Sequence, residues 1–163
     1  MSLVTEHLRN RGVEFSVLPH ISAHSAVEEA LTLGIGARQV AKAVVLDLPN
    51  EHAIAVVPGY RRLDNHLLKE ACGAHAHLAS EDEIERDYPQ FELGAFPAVP
   101  SMFDGPVLVD PEVLEQDEIV IAAGDTHESV RVAPKALFDA PNVEIRPLAA
   151  HPELDEGKHP IEA

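Results

Sequence analysis

A lysine stands inside a mostly apolar run, QVAKAVVLDL, at residues 39–48. An ammonium group is strongly hydrated. Placing one at the mouth of a buried strand is costly unless it stays wet or meets an anion. Lys42 therefore marks either the solvated end of a strand or an anion site. Arg61 and Arg62 follow Pro58 and Gly59 at the end of the next β-rich run. If that sheet edge also bears Lys42, the three cations form a local anion site.

Two loops hold the other candidates. FELGAFPAVPSMFDGP, residues 91–106, is long and carries few helix or strand signals. Loops of that length inside a compact domain are usually functional or disordered. Its prolines and Phe91, Phe96 and Phe103 argue for order, and a rigid structural connection is the plain alternative. Gly94 allows a positive φ or a close backbone approach to a ligand. AAGDTHESVRV, residues 122–132, joins two strand-like runs through Gly124, Asp125, Thr126 and His127. Gly-Asp is turn chemistry, and His127 adds a group that exchanges protons near neutral pH. Asp125 and His127 could pair as acid and base, but no serine or cysteine stands out to complete a triad.

The remaining candidates point away from cofactors. His75 and His77 are two apart, and His20 and His24 four apart. No HExxH, no CxxC and no carboxylate at ligand spacing accompanies them, so solvated histidine is the expectation and no metal is expected. There is no Walker loop and no GxGxxG, which argues against a nucleotide cofactor. Cys72, in LLKEACG, reads as the last turn of a helix with only Lys69 as a cationic neighbour, a poor setting for a nucleophile.

The elements that must position these residues are legible as a mixed α/β order. Helices are expected over 3–11, 25–33, 64–72, 80–88 and from 134 to 138. Their signals are Gly12 and Gly34 as stops, Asp64 as a cap, and Ser80 with Glu83 as a capping box. Strands are expected over 13–18, 42–48, 52–57, 106–109, 119–122, 128–132 and 143–145, with a turn of helix at 111–114. The runs at 42–48 and 52–57, joined by Pro49-Asn50-Glu51, read as a hairpin. Short, closely spaced strands favour a curved, mostly antiparallel or mixed sheet with packed helices, not a doubly wound parallel one. Residues 1–148 read as one domain and 149–163 as a polar, Pro-rich tail.

Composition narrows the class. At 163 residues and 45% hydrophobic content, one domain with a real core is expected. With 4% aromatics and no Trp, that core must be Val, Leu, Ile and Ala. No apolar run approaches a membrane span, the first residues do not read as a signal peptide, and one cysteine fits a reducing cytoplasm. A formal charge of -16 argues against coating DNA or RNA. It leaves room for a small cationic site on an acidic body.

Taken in order, VAKAVVL, VVPGYRRLD, LASEDEIE, FELGAFPAVPSMFDGPVLVD, DEIVIAAG and ESVRVAP resemble one family. It is the YbaK/prolyl-tRNA-synthetase-associated family, the free-standing relatives of the editing domain inserted in bacterial prolyl-tRNA synthetase. The resemblance runs from about residue 20 to residue 140. It implies an aminoacyl-tRNA deacylase that acts in trans. The reaction is hydrolysis of the ester between a small amino acid and the terminal ribose of a mischarged tRNA. The acceptor end of aminoacyl-tRNA is the implied partner, without DNA, membrane or cofactor. Lys42 matches the family's strand lysine, which engages the tRNA 3′ end. Gly94 matches the glycine of a glycine–proline loop whose N–H groups hold the substrate carbonyl. By the same resemblance Phe96, Pro97, Ala98, Gly124, Asp125, Thr126 and His127 are expected to shape the substrate pocket, and Arg62, as part of the cationic group beside Lys42, to join them.

The chain departs from the family pattern in two places. Relatives often read Gly-x-x-Pro-Pro followed by a glycine two positions later. Here Pro97 is kept, Ala98 follows, and Pro100 stands where that glycine would be. Many relatives place a histidine two residues after the last loop's glycine, where this chain has Thr126 and carries His127 one later. In an extended segment a shift of one turns a side chain to the opposite face. Thr126 or Asp125 is then the alternative to His127 as a pocket residue. A non-catalytic tRNA-end or partner-binding module of the same fold, and a small-molecule ester hydrolase, are the other readings.

Overall fold

Local signals set most element ends. In the structure, a computed structural model that describes residues 2–150, Ser25 caps α2 (Ala26–Leu33) by accepting from the Glu28 N–H. Gly34 ends it in the left-handed region at φ 68°. Ser80 and Glu83 form a capping box on α4 (Glu81–Asp87), and Asp64 caps α3 (Asn65–Cys72). The first helix, α1, is Leu3–Asn10, and the last, α5, is Pro134–Phe138.

Eight strands form two sheets where one was expected. The first is antiparallel, with β7 (Glu128–Val132) between β1 (Phe15–Pro19) and β6 (Ile119–Ala122). The second is mixed, in the order β4-β2-β3-β5-β8: His77–Leu78, Ala41–Asp47, His52–Pro58, Val107–Val109 and Val143–Ile145. β2 and β3 are the expected hairpin, whereas β3–β5 and β5–β8 run parallel. A parallel bridge from Val40 to Val120 joins the sheets.

Side-chain alternation along β3 feeds two cores. Ile54 and Val56 pack with Val107, Val109, Ile121 and Val130. Ala53, Ala55 and Val57 face the other way, toward Leu46, Leu68, Leu108 and Leu148. A strand buried on both faces needs small and branched residues, and β3 supplies only those from Ala53 to Val57. The scarcity of aromatics is met by this aliphatic packing.

Ala149 and Ala150, expected in the tail, are buried. Ala149 bridges Leu63, and the Ala150 N–H donates to the Arg62 carbonyl. Asp110 holds this segment: its Oδ2 accepts the Leu148 and Ala149 N–H groups at 2.9 Å each, and its Oδ1 accepts the Glu112 N–H at 3.0 Å. Asp110 is 7% exposed. Replacing it by alanine removes three charge-assisted bonds, and a loss of about 3 kcal/mol in urea unfolding is expected. The expected looseness of residues 151–163 lies outside the described residues.

Candidate functional site

The short strand β4 pairs only with Leu46 and Asp47 of β2. Beyond that pair the Ala79 N–H donates to the Val45 carbonyl at 3.0 Å, and from Lys42 to Val44 this edge of β2 has no strand partner; a cavity of about 330 Å³ lies along it. Its walls are mostly apolar, from β2, α2, Leu78, Ile84 and Ala122, and the loop residues Leu93, Gly94 and Phe96 close it. That size fits a small molecule or the tip of a larger one.

Lys42 stands in this wall. It pairs in register with Val57, and no side-chain hydrogen bond or ion pair engages its Nζ among the described residues. Burial pushes its pKa below the ordinary lysine value, and the nearby Arg62 charge lowers it further. The expected triplet of cations is corrected to a pair. Arg61 is turned to Glu112, with Nε 2.8 Å from its carboxylate, and also bonds the Tyr60 hydroxyl and the Ala150 carbonyl. Its charge is neutralised in the body of the protein. Arg62 is exposed and close enough to act on Lys42.

The loop over the cavity is fastened from two sides. Gly94 has φ 83°, and a Cβ there would lie 2.1 Å from the His24 carbonyl oxygen. The close approach is thus to the chain's own backbone. Gly124, at φ 82°, lies against the Phe91 ring and exchanges two bonds with the loop. Its N–H donates to the Ala95 carbonyl and its carbonyl accepts from Glu92, each at 2.9 Å. Phe96 packs edge-on to Phe91 and Tyr88. Pro97 and Ala98 are buried below the loop, away from the cavity wall. Among the described residues no acceptor engages the N–H of Leu93 or Gly94.

The 124–127 turn lies beside the cavity. Thr126 is buried, with its N–H donating 2.9 Å to Glu92, and lines a shallow depression that shares His24, Glu92 and Leu93 with the cavity. His127 is exposed; Asp125 accepts its backbone N–H at 2.6 Å and lies 3.5 Å from its ring. The segment is a turn and not the extended stretch expected; in it Thr126 is buried, His127 is exposed, and neither lines the cavity.

Several wall residues were missed or set aside in the sequence. His24, expected as solvated, borders the cavity, with its Nε2 2.9 Å from the Ser22 hydroxyl. Glu29 is 5% exposed and also lines it. Its signal was the helical spacing Ala26–Glu29–Ala30, which puts it on the buried face. His52 lies 3.5 to 4.0 Å from Asp47, Glu83 and Asp87 and ties the hairpin to α4; of the histidines expected as solvated, His77 has a carboxylate beside it, with its Nε2 3.2 Å from Asp47. Cys72 is half-buried, and burial pushes its thiol pKa up.

A small two-sheet α/β domain with an unpaired lysine in an apolar cavity, roofed by a pinned glycine loop, is the class that fold and site define. The family profile of the aminoacyl-tRNA editing domain matches residues 20–140. The chain belongs to the aminoacyl-tRNA editing domain family. Solved structures share the fold. A hypothetical protein, APE2540, superposes with a TM-score of 0.80 at 22% identity, covering 90% of this chain and 99% of that one. A proposed trans-editing enzyme for prolyl-tRNA synthetase superposes with a TM-score of 0.77 at 24% identity, covering 91% and 95%. No curated protein matches the chain. Among the described residues no helix is long and apolar enough to cross a membrane.

Proposed function

We propose that the chain deacylates mischarged aminoacyl-tRNA in trans, hydrolysing the ester between a small amino acid and the terminal ribose. The observation that carries this reading is the Lys42 ammonium. It has no hydrogen-bond or ion-pair partner in the chain among the described residues, yet shares a cavity with Gly94. A desolvated cation without a partner is a site for an anion. With Arg62 it receives the phosphate of the terminal nucleotide. The Leu93 and Gly94 N–H groups hold the ester carbonyl as charge develops on its oxygen. Water attacks the carbonyl carbon, and the ester bond to the ribose oxygen breaks. Phe96 forms the wall, Pro97 and Ala98 stiffen the loop from below, and Gly124 fastens it. Thr126 sets the position of Glu92, while Asp125 and His127 lie at the rim. The activated ester needs positioning more than covalent help. Such work belongs to the cytoplasm, where charged tRNA is used.

The charge of -16 favours a second reading, a module of the same fold that binds the acceptor end without turnover. One assay separates them. The protein is incubated with tRNAs charged with alanine, serine, threonine or cysteine, at low and high salt. Selective loss of one ester is expected. Acceptor-end binding without any turnover would favour the second reading. Because an acidic body repels tRNA, affinity should rise as salt first screens that repulsion. Strong binding that only declines from low salt would contradict this.

A further inference from the structure

Glu29 is a carboxylate in the cavity wall that the reading above leaves without a task. It is 5% exposed, and its partner Ser129 is 0% exposed. The Ser129 hydroxyl meets Glu29 Oε2 in a close hydrogen bond, and His20 Nε2 lies 2.8 Å from the same hydroxyl. His20 Nδ1 is 2.7 Å from the Ile21 carbonyl. A carbonyl only accepts, so Nδ1 carries a hydrogen. If Ser129 donates to an ionised Glu29, it has no hydrogen left for His20, and His20 Nε2 must donate as well. All three bonds are then made by an imidazolium, a hydroxyl and a carboxylate. Moving one proton along the chain from His20 to Glu29 keeps the bonds and removes the charges. The hydrogen bonds thus join Glu29 through Ser129 to His20, and in the charged arrangement Glu29 is suited to a cation beside it.

The other oxygen, Oε1, is available. No hydrogen bond within the chain engages it among the described residues. Yet no buried side-chain nitrogen or oxygen among them lacks a partner. Oε1 must then keep an accessible face, and Glu29 lines the cavity. The other carboxylate in the wall, Glu92, is exposed and already takes the Thr126 N–H. The cavity wall thus holds groups of opposite charge: Lys42, which feels Arg62, and Glu29, which answers to Ser129 and His20. The Glu29 pKa is raised by burial, against the opposing pull of the Ser129 hydrogen bond and His20.

We propose that Glu29 Oε1 receives the α-ammonium of the aminoacyl group, with Ser129 and His20 as positioning residues. The inference rests on the deacylase reading: the aminoacylated 3′ end is a phosphate and an ammonium joined through an ester, which matches the two wall charges in sign. The site would then select esters of amino acids with a free amino group.

The test replaces that group by an isostere without charge. Alanyl-tRNA is compared with lactoyl-tRNA, whose α-hydroxyl stands where the ammonium was. Binding of the non-hydrolysable 3′-alanylamido and 3′-lactoylamido adenosine 5′-monophosphates is measured beside turnover. The wild-type protein is expected to favour the amino compounds at least ~10-fold, mainly in KM and Kd. Glu29→Gln should erase the preference by weakening the amino compounds alone, and Ser129→Ala should narrow it. Equal handling of both compounds by the wild type, or equal loss of both in Glu29→Gln, overturns the inference and leaves the deacylase reading standing. A wild-type protein that neither hydrolyses nor binds any of the four overturns that reading and this one with it.

Discussion

Lys42→Met is expected to abolish turnover while leaving the fold as stable as before or more so. Losing a charged contact that fixes the substrate costs about 10²–10³-fold in rate. The same ammonium is a burden on the folded state, because burial has taken its water and the chain offers no partner. Methionine fills a similar volume without charge, so a gain of about 1 kcal/mol in urea unfolding is expected. Activity lost with stability gained is what separates a functional lysine from a structural one. Turnover that survives, or a variant that unfolds, would reject the assignment. The pH dependence has a definite sign. The folded-state pKa of Lys42 is lowered, so the ammonium is present below it and is lost as pH rises through it. The alkaline limb of the rate profile should therefore fall earlier than for a solvated lysine. Lys42→Arg should push that limb upward, whatever it does to the maximal rate. For stability, the burden is fully present below the lowered pKa and is relieved as pH rises toward that of a free lysine.

Much of this was legible because the signals are local. The Gly34 stop, the Asp64 cap and the Ser80–Glu83 box are each read within four residues, and each is found where expected. Pairing is not local. Nothing near Ile54 in sequence says that Val107 will lie beside it in parallel, or that Val40 will bridge Val120 into a second sheet. Adjacent like residues were the other blind spot. Arg61 and Arg62 read as one cationic pair, but one is held by Glu112 and only its neighbour reaches Lys42's field. Glu28 and Glu29 are likewise adjacent and alike. Glu28 is exposed and accepts the His24 N–H at 2.9 Å, while Glu29 turns into the cavity. In each case the direction depends on helix phase or chain turn, which composition does not carry.

Gly94→Ala should damage both activity and stability, and the comparison with Gly124→Ala shows why. Both glycines have nearly the same positive φ, 83° and 82°, so alanine carries a similar backbone penalty at each, about 1–2 kcal/mol. Their neighbours differ. At Gly94 the new Cβ would meet backbone, the His24 carbonyl oxygen at 2.1 Å and carbon at 2.8 Å. Backbone between β1 and α2 cannot step aside without pulling His24 and the Ser25 cap with it. At Gly124 the new Cβ meets the Phe91 ring at 2.7 Å, a side chain that can tilt. Overpacking adds about 1–3 kcal/mol where the neighbour is fixed. Gly94→Ala is thus expected to lose about 3–4 kcal/mol and Gly124→Ala about half of that. Turnover should follow the loop and not the global fold. At a temperature where both variants remain folded, Gly94→Ala should still be at least ~100-fold slower, since its N–H groups no longer sit where the oxyanion forms. Gly124→Ala should retain measurable activity, because its two bonds to Glu92 and Ala95 come from backbone that alanine also has. Equal losses of rate in the two folded variants would mean that the contact of Gly94 with His24 does not set the geometry of the site.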